Sequence, residues 1–346
     1  MERRGLRHIA VWLGLAVSAA FAYVAVSDVD FASFRRTLVE GEYLLLLPAI
    51  AVLAVAIFLR GVRWQMLFTP DHRPSLGAVM DAMLVGYLFN AVLPARAGEI
   101  ARVVVLNQRA KTSRFEALAT VVAERVLDVI VLLTLLVACT PFVPDSSWMR
   151  RGAILGGAAL VVIVACLVLV AFRGERAVRF VLSPLLLLPN VSGPDIARAA
   201  RNAVRGLAVF RRPRMAVVVL GLTALSWVVI AAVFWICLSV VGLELGPEAA
   251  VAMVIAANLS MILPSAPAGL GVFHAAVVVT LGAFGVDRAA ALSYAVVVHV
   301  VNFVPLIIIG YLAFHHHAVV LRRTTGMHQT SPPSLRPPSE SGRTTR

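Results

Sequence analysis

Three ionisable residues stand in the middle of an apolar run: Glu124, Arg125 and Asp128, within the stretch 115–139. On a helix they share an arc of about 100°, because residues three and four apart are neighbours. Counted from Phe115 at 1.5 Å per residue, they lie about 13–20 Å along, near the middle of a bilayer. Each isolated charge there costs about 2.5–3.5 kcal/mol on insertion scales. Three unpaired charges would nearly cancel the apolar gain of the helix. They must pair with one another or face a polar interior. An Arg–Asp clamp that only holds helices together is one reading. A functional intramembrane site is the default one.

Two further apolar segments are interrupted by Pro and Gly and carry polar groups at the break. In the first, 76–108, the run Leu93-Pro94-Ala95-Arg96-Ala97-Gly98-Glu99 brings Arg96, Glu99 and Arg102 together, with Asn90 just before. Broken helices leave backbone N–H groups free at depth, and helix N-termini favour anions. Arg96 and Arg102 beside such ends suit a phosphate, which guanidinium binds bidentately. Glu99 and the acids of 115–139 would neutralise them when the site is empty. In the second, 247–286, the run 263–271 follows Asn258 and supplies Ser265, Gly269 and Gly271, with His274 just beyond. A lone His at a membrane helix start is more often an interfacial hydrogen-bonder than a proton relay.

The two breaks resemble each other: Asn90 then Leu93-Pro94 and Ala97-Gly98; Asn258 then Leu263-Pro264 and Ala268-Gly269. Interrupted segments in corresponding positions are the sequence pointer to an inverted-repeat transporter site. An ordinary kinked helix pair is the alternative, since Pro and Gly are common in membrane helices.

The elements that position these residues follow from composition. Of 346 residues, 60% are hydrophobic and 14% charged, and the mean hydropathy is +0.90. That composition belongs to a chain solvated by lipid. Six stretches are long and apolar enough to cross a core of about 30 Å: 9–26, 43–59, 115–139, 152–172, 215–241 and 289–314. The pattern predicts an all-α polytopic membrane protein, with about six full transmembrane helices and two re-entrant or broken-helix hairpins in an inverted repeat. The first stretch imitates a signal peptide at Ala20-Phe21-Ala22, but its length and the spans that follow favour a transmembrane helix. The arm 100–106 covers only about 10 Å as a helix, so a hairpin entering from the cytoplasm is expected there. The second segment has longer arms, and two short full spans are its alternative.

Linker charge sets orientation. Arg3, Arg4 and Arg7 precede the first span; Arg60, Arg63 and Arg73 follow the second; Arg109, Lys111 and Arg114 precede the third. Nine arginines between Arg173 and Arg214 fill the link after the fourth, and Arg322 and Arg323 follow the last. The remaining links, 27–42, 141–151 and 242–250, carry acids or near-neutral mixtures. The positive-inside rule predicts both ends in the cytoplasm, in a bacterial-type cell membrane. The net charge of +13 is therefore assigned to anionic headgroups and not to nucleic acid.

Within 175–212, Arg198, Arg201 and Arg205 share a helical face opposite Ile196, Ala200, Val204 and Leu207, the pattern of an amphipathic helix on the inner leaflet. The transmembrane domain is expected over 1–323, and the Pro-rich 324–346 as a disordered cytoplasmic tail. Cys139, Cys166 and Cys237 lie scattered in apolar stretches and form neither a disulfide framework nor a metal site. No cofactor and no metal are expected.

The runs Asn-x-x-Leu-Pro-Ala-Arg-Ala-Gly-Glu-x-x-Arg at 90–102, Glu-Arg-x-x-Asp at 124–128 and Pro-x-Gly-Leu-Gly-Val-Phe at 267–273 resemble the lysylphosphatidylglycerol synthase transmembrane-region family. The resemblance covers about 10–320. It implies a flippase-like membrane domain that handles phospholipid or lipid-linked substrates. Ala268 stands where that family usually has a second Gly, and His274 where it often has Glu, so no cation-pairing role carries over to that position. The soluble aminoacyl-transferring domain of the fused enzymes is absent, so lysyl-lipid synthesis is not carried over.

The expectation is a lipid translocator and no enzyme. Its groove would be lined by the two breaks and the third span, with membrane lipids as ligands and a lipid-biosynthesis enzyme as a candidate partner. Arg96 and Arg102 would hold the lipid phosphate. Glu99, Glu124 and Asp128 would balance charge or pair with a cationic headgroup. Two rivals stand beside it: a membrane-embedded lipid or glycan transferase with Glu124 or Asp128 as base, and a non-transporting scaffold of an envelope-biosynthesis complex. The sequence leaves the lipid, the energy source and the oligomeric state open.

Overall fold

The computed structural model describes residues 2–93, 97–143, 147–183, 192–194, 197, 201, 212–263 and 265–329. Among these the chain is all helical, with no strand. Twelve α-helices follow one another: α1 (Glu2–Val26), α2 (Phe31–Val39), α3 (Leu46–Met66), α4 (Leu76–Val92), α5 (Gly98–Ala110), α6 (Arg114–Cys139), α7 (Ser147–Arg173), α8 (Glu175–Leu182), α9 (Pro213–Val240), α10 (Pro247–Ser260), α11 (Val272–Ala283) and α12 (Arg288–Gln329).

Among the described residues four segments are long and apolar enough to cross a membrane: Tyr43–Met66, Arg150–Val170, Pro213–Val240 and Arg288–His316. A fifth candidate is the pair Trp12–Val26 and Phe31–Val39, bent by 86°. The bend has a local cause: Asp30 caps α2, accepting from the Ala32 N–H and the Ser33 hydroxyl. The segment 27–42, read from its charge as a plain outer link, therefore contains a helix. At 26 residues α6 is as long as the clear spans, about 39 Å. Glu124, Arg125 and Asp128 are what set its composition apart from theirs.

The second apolar helix runs further than its hydropathy predicts. Leu53, Ile57, Gly61 and Trp64 recur at helical spacing and are all buried, so α3 continues through Arg60 and Arg63 to Met66. Arg63 is 0% exposed. It is not a linker charge, and the inner-side tally after this span loses it.

Besides α2 and α8, the four helices flanking the two breaks are too short to cross alone. The helices α4 and α5 span about 25 and 20 Å, and α10 and α11 about 21 and 18 Å. Each pair packs against itself across its break. The α5 arm is longer than the 100–106 expected, because its charges are matched: Arg102 pairs with Glu99 (2.6 Å), and Arg109 pairs back onto Asp81 of α4 (2.8 Å). At the first break Asn90 Oδ1 accepts from the Gly98 N–H at 2.8 Å, taking one of the free donors at the start of α5. Gly98 passes so near the Gly86 carbonyl that a Cβ there would overlap it.

The second break turns through three left-handed residues, Ala268 (φ 56°), Gly269 (φ 67°) and Gly271 (φ 84°). It is fastened to α1, whose Ser18 hydroxyl accepts from the Ala266 N–H at 2.6 Å. A Cβ on Gly271 would strike the Ser18 carbonyl. Ala268 is the residue out of place: a left-handed alanine costs about 1–2 kcal/mol. Ala268→Gly removes that strain and returns about 0.4–1 kcal/mol through the freer unfolded chain. A net gain of roughly 0.5–1 kcal/mol is expected, read as a melting temperature a few degrees higher in detergent. A lower melting temperature would show that Ala268 does not hold this conformation.

The core forms where α9 lies along α3, with α4, α6 and α12 packed around them. Tyr294 of α12 donates to the Phe234 carbonyl of α9 at 2.8 Å. The helix α7 packs on α6 and exposes most of its length. Of the expected amphipathic link only α8 and a few residues are described, including Arg201; Arg198 and Arg205 lie outside the described residues. The last helix continues to Gln329, six residues into the stretch read as a tail, and 330–346 lie outside the described residues.

Candidate functional site

Three helices bring ionisable side chains to one point, and a fourth adds polar ones. From α3 comes Arg63, from α5 Glu99 and Arg102, and from α6 Glu124, Arg125 and Asp128; α9 adds Thr223 and Trp227. Arg63 Nη1 donates to Asp128 Oδ1 at 2.6 Å and to Thr223 Oγ1 at 3.3 Å, while its Nη2 lies 3.0 Å from Glu124 Oε1. Arg102 reaches Glu124 Oε2 (3.0 Å) and Glu99 Oε2 (2.6 Å) with separate nitrogens. Arg125 Nη2 donates to Glu124 Oε1 at 2.7 Å and lies 3.5 Å from Asp128; its Nε is 3.7 Å from Glu99. The Trp227 indole donates to Asp128 Oδ1 at 3.2 Å.

Three arginines thus face three carboxylates, and every carboxylate touches at least two arginines. That is the condition under which buried charges are tolerable, since a lone buried ion costs several kcal/mol. Arg125 pairs with Asp128, its neighbour three residues on, with Glu124, and with Glu99 of α5. The residue that sequence reasoning missed is Arg63, which supplies the central cation. Its signal was the helical spacing of buried positions past residue 59.

Tryptophans back the network. The Arg102 guanidinium lies over the Trp64 ring at 4.8 Å, and Arg60 over Trp227 at 4.5 Å. Both rings are locked by their indole N–H groups, Trp64 on Thr120 (3.1 Å) and Trp227 on Asp128.

Beside the network lies a cavity of about 420 Å³. Arg60, Glu99, Arg102 and Arg125 form a charged end, and Ile230, Phe234, Met261, Phe303 and Leu306 give it apolar walls. Residues of both breaks line it: Asn90 and Leu93 from the first, Ser265, Ala268 and Gly269 from the second, with Asn258 before it. Glu124 and Asp128 sit behind the arginines. Gly271 packs on α1, away from the cavity. His274 stands against His299 (ring centroids 4.8 Å apart), itself stacked on Phe303 at 4.3 Å, so an aromatic wall separates it from the cavity. Arg96 lies outside the described residues. Arg102, read from its position as a phosphate ligand, has both terminal nitrogens on carboxylates. Among the described residues no three His, Cys, Asp or Glu side chains are grouped to hold a metal ion.

A profile of the family described as "Lysylphosphatidylglycerol synthase TM region" matches residues 11–310. The chain belongs to this family. It is accordingly a multi-pass membrane protein. A curated relative, "Glycosyltransferase AglD" of Haloferax volcanii, is 25% identical over 336 residues. The alignment takes in 86% of this chain and 52% of the relative, so the chain spans about half the length of that protein. All three family-like runs converge in space: 90–102 and 267–273 supply the two breaks, and 124–128 supplies the charges behind them.

Proposed function

We propose that this chain is a lipid translocator of the cytoplasmic membrane, with the headgroup carried in the 420 Å³ cavity. The observation that carries this reading is the shape of that cavity. It has one charged end and apolar walls, and residues of both breaks line it. A lipid needs such a site: polar partners for its headgroup where the bilayer offers none, and an apolar surface for the glycerol and acyl region. Arg125, whose side chain is 41% exposed, and Glu99 are the network members placed to touch the headgroup. Glu124, Arg63 and Asp128 hold them in position from behind.

In this proposal α1, α3, α6, α7, α9 and α12 cross the membrane. The pairs α4–α5 and α10–α11 are re-entrant hairpins that enter from opposite faces as an inverted repeat. Both ends lie in the cytoplasm. Without Arg60 and Arg63 the orientation rests on the remaining linker arginines, such as Arg73, Arg109, Arg114 and those after α7. Single cysteines at Ser147 and Gly193 are expected to label from opposite faces of intact cells, Ser147 from outside. Labelling of both from one face would overturn the arrangement.

Reconstitution tests the function. In proteoliposomes holding a fluorescent phosphatidylglycerol, the protein is expected to expose nearly all of the probe to an impermeant reductant. Empty liposomes expose only the outer leaflet. No difference between the two would remove the translocator reading.

A transferase is the second reading, and the name of the Haloferax volcanii relative favours it. The acids themselves argue against it. Glu124 is 1% exposed and covered by three arginines, and Asp128 is covered by two arginines and an indole. A general base needs access to the proton it removes. Formation of a new glycolipid by purified protein supplied with a lipid-linked sugar would reverse this judgement.

A further inference from the structure

We infer that Arg60, stacked on Trp227, is the anion anchor of the cavity, and that the cavity selects ligands whose phosphate carries net negative charge. This inference rests on the translocator reading and names its substrate class. The charges decide it. Arg63, Arg102 and Arg125 are matched one for one by Glu99, Glu124 and Asp128, so the network is neutral as a unit. Arg60 lines the same cavity and stands outside that balance: among the described residues no carboxylate lies within ion-pairing distance of it, and its buried Nε has no hydrogen-bond partner. Asp128 feels Arg60 electrostatically, but its oxygens are occupied by Arg63, Arg125 and Trp227. Among the described residues, one cation is left over at the charged end.

The geometry readies that cation for a ligand. Trp227 is fixed by its bond to Asp128, and its ring carries the guanidinium face at 4.5 Å. Stacking on a locked ring leaves the edge of the guanidinium, where its donors lie, for a second partner. Arginine presents those donors as a planar fork matched to two phosphate oxygens. A zwitterionic headgroup brings its own cation, which the leftover charge repels. A cationic headgroup fares worse. Phosphatidylglycerol and free inorganic phosphate share the required chemistry, and the test separates them.

Binding of water-soluble dihexanoyl-phosphatidylglycerol, dihexanoyl-phosphatidylcholine and inorganic phosphate is measured by titration calorimetry on the full chain in a non-ionic detergent. The wild type is expected to bind the glycerol lipid at least tenfold tighter than the choline lipid, and more tightly than phosphate. Arg60→Gln is expected to remove that preference, a loss on the order of tenfold, as for one charged hydrogen bond. Arg60→Met, which keeps the stem on the ring, should do the same, while Arg60→Lys keeps part of the preference. A folded Arg60→Gln or Arg60→Met protein that still prefers the glycerol lipid overturns the anchor and leaves the translocator reading standing. A wild type with no preference between the two lipids overturns the anchor without any variant. Binding of phosphate but of neither lipid supports an anion site and sinks the lipid reading. Binding of none of the three sinks the anchor.

Discussion

Arg63→Ala is expected to leave almost no folded protein, although the residue touches neither solvent nor the cavity. Its guanidinium meets both acids of α6 from the buried side, at 2.6 Å to Asp128 and 3.0 Å to Glu124, where Arg125 meets them from the cavity side. Removing one partner of a buried charge pair costs about 3–5 kcal/mol, because the other charge stays buried and uncompensated. Against a total stability of about 5–15 kcal/mol that is from about a fifth to all of it. Monodisperse protein after solubilisation should fall below a tenth of the wild-type yield. Charge balance predicts a rescue. In Arg63→Met with Asp128→Asn, two arginines face Glu99 and Glu124, and the yield should recover more than half of the loss. A double variant no better than the single would show that the shape of Arg63, and not its charge, is what the core requires. A stable Arg63→Ala protein would mean that the network is hydrated and cheap to break.

The parts of this site that were legible in the sequence are those that violate a local rule. Glu124, Arg125 and Asp128 break an apolar helix and so announce a polar surrounding; Pro94 and Gly98 break the next helix back, and Ala268 to Gly271 break another. Arg63 violates nothing. An arginine at the end of an apolar run is the commonest way for a span to meet the membrane surface, and its partners lie 61 and 65 positions away in the chain. Only the spacing from Leu53 to Trp64, which continues the buried face, separates a burying arginine from an anchoring one. Which of the expected acids holds Arg102 was not legible for the same reason. Its sequence neighbours show a helix start that would welcome a phosphate, while the carboxylate that occupies its Nη1 belongs to α6. His299 gave no signal of its own; it meets His274 only because α11 and α12 pack together. Long-range pairing of charges is thus the layer that hydropathy and spacing do not carry.

Asn258→Trp is expected to stop translocation while sparing the fold, which would separate a lipid path from a scaffold. Asn258 lines the cavity on α10, and its side-chain Nδ2 donates only to the Val254 carbonyl one turn back on the same helix. Losing that bond leaves the helix ladder intact, so the substitution costs little on the helix side. Overpacking a filled core costs about 1–3 kcal/mol; here the indole has the 420 Å³ cavity to enter. The folded yield and melting temperature should therefore stay near wild type. Translocation of fluorescent phosphatidylglycerol in proteoliposomes should fall at least tenfold, because the ring occupies the space that the headgroup must cross between the two breaks. Leu155→Trp on α7 is the control. Leu155 is 71% exposed on a helix that exposes most of its length and does not line the cavity, so the same added ring should leave translocation unchanged. If Asn258→Trp folds and moves lipid at the wild-type rate, the cavity is not the lipid path. The charged network would then be a clamp that holds α3, α5 and α6 together, and the scaffold reading would take the place of the translocator.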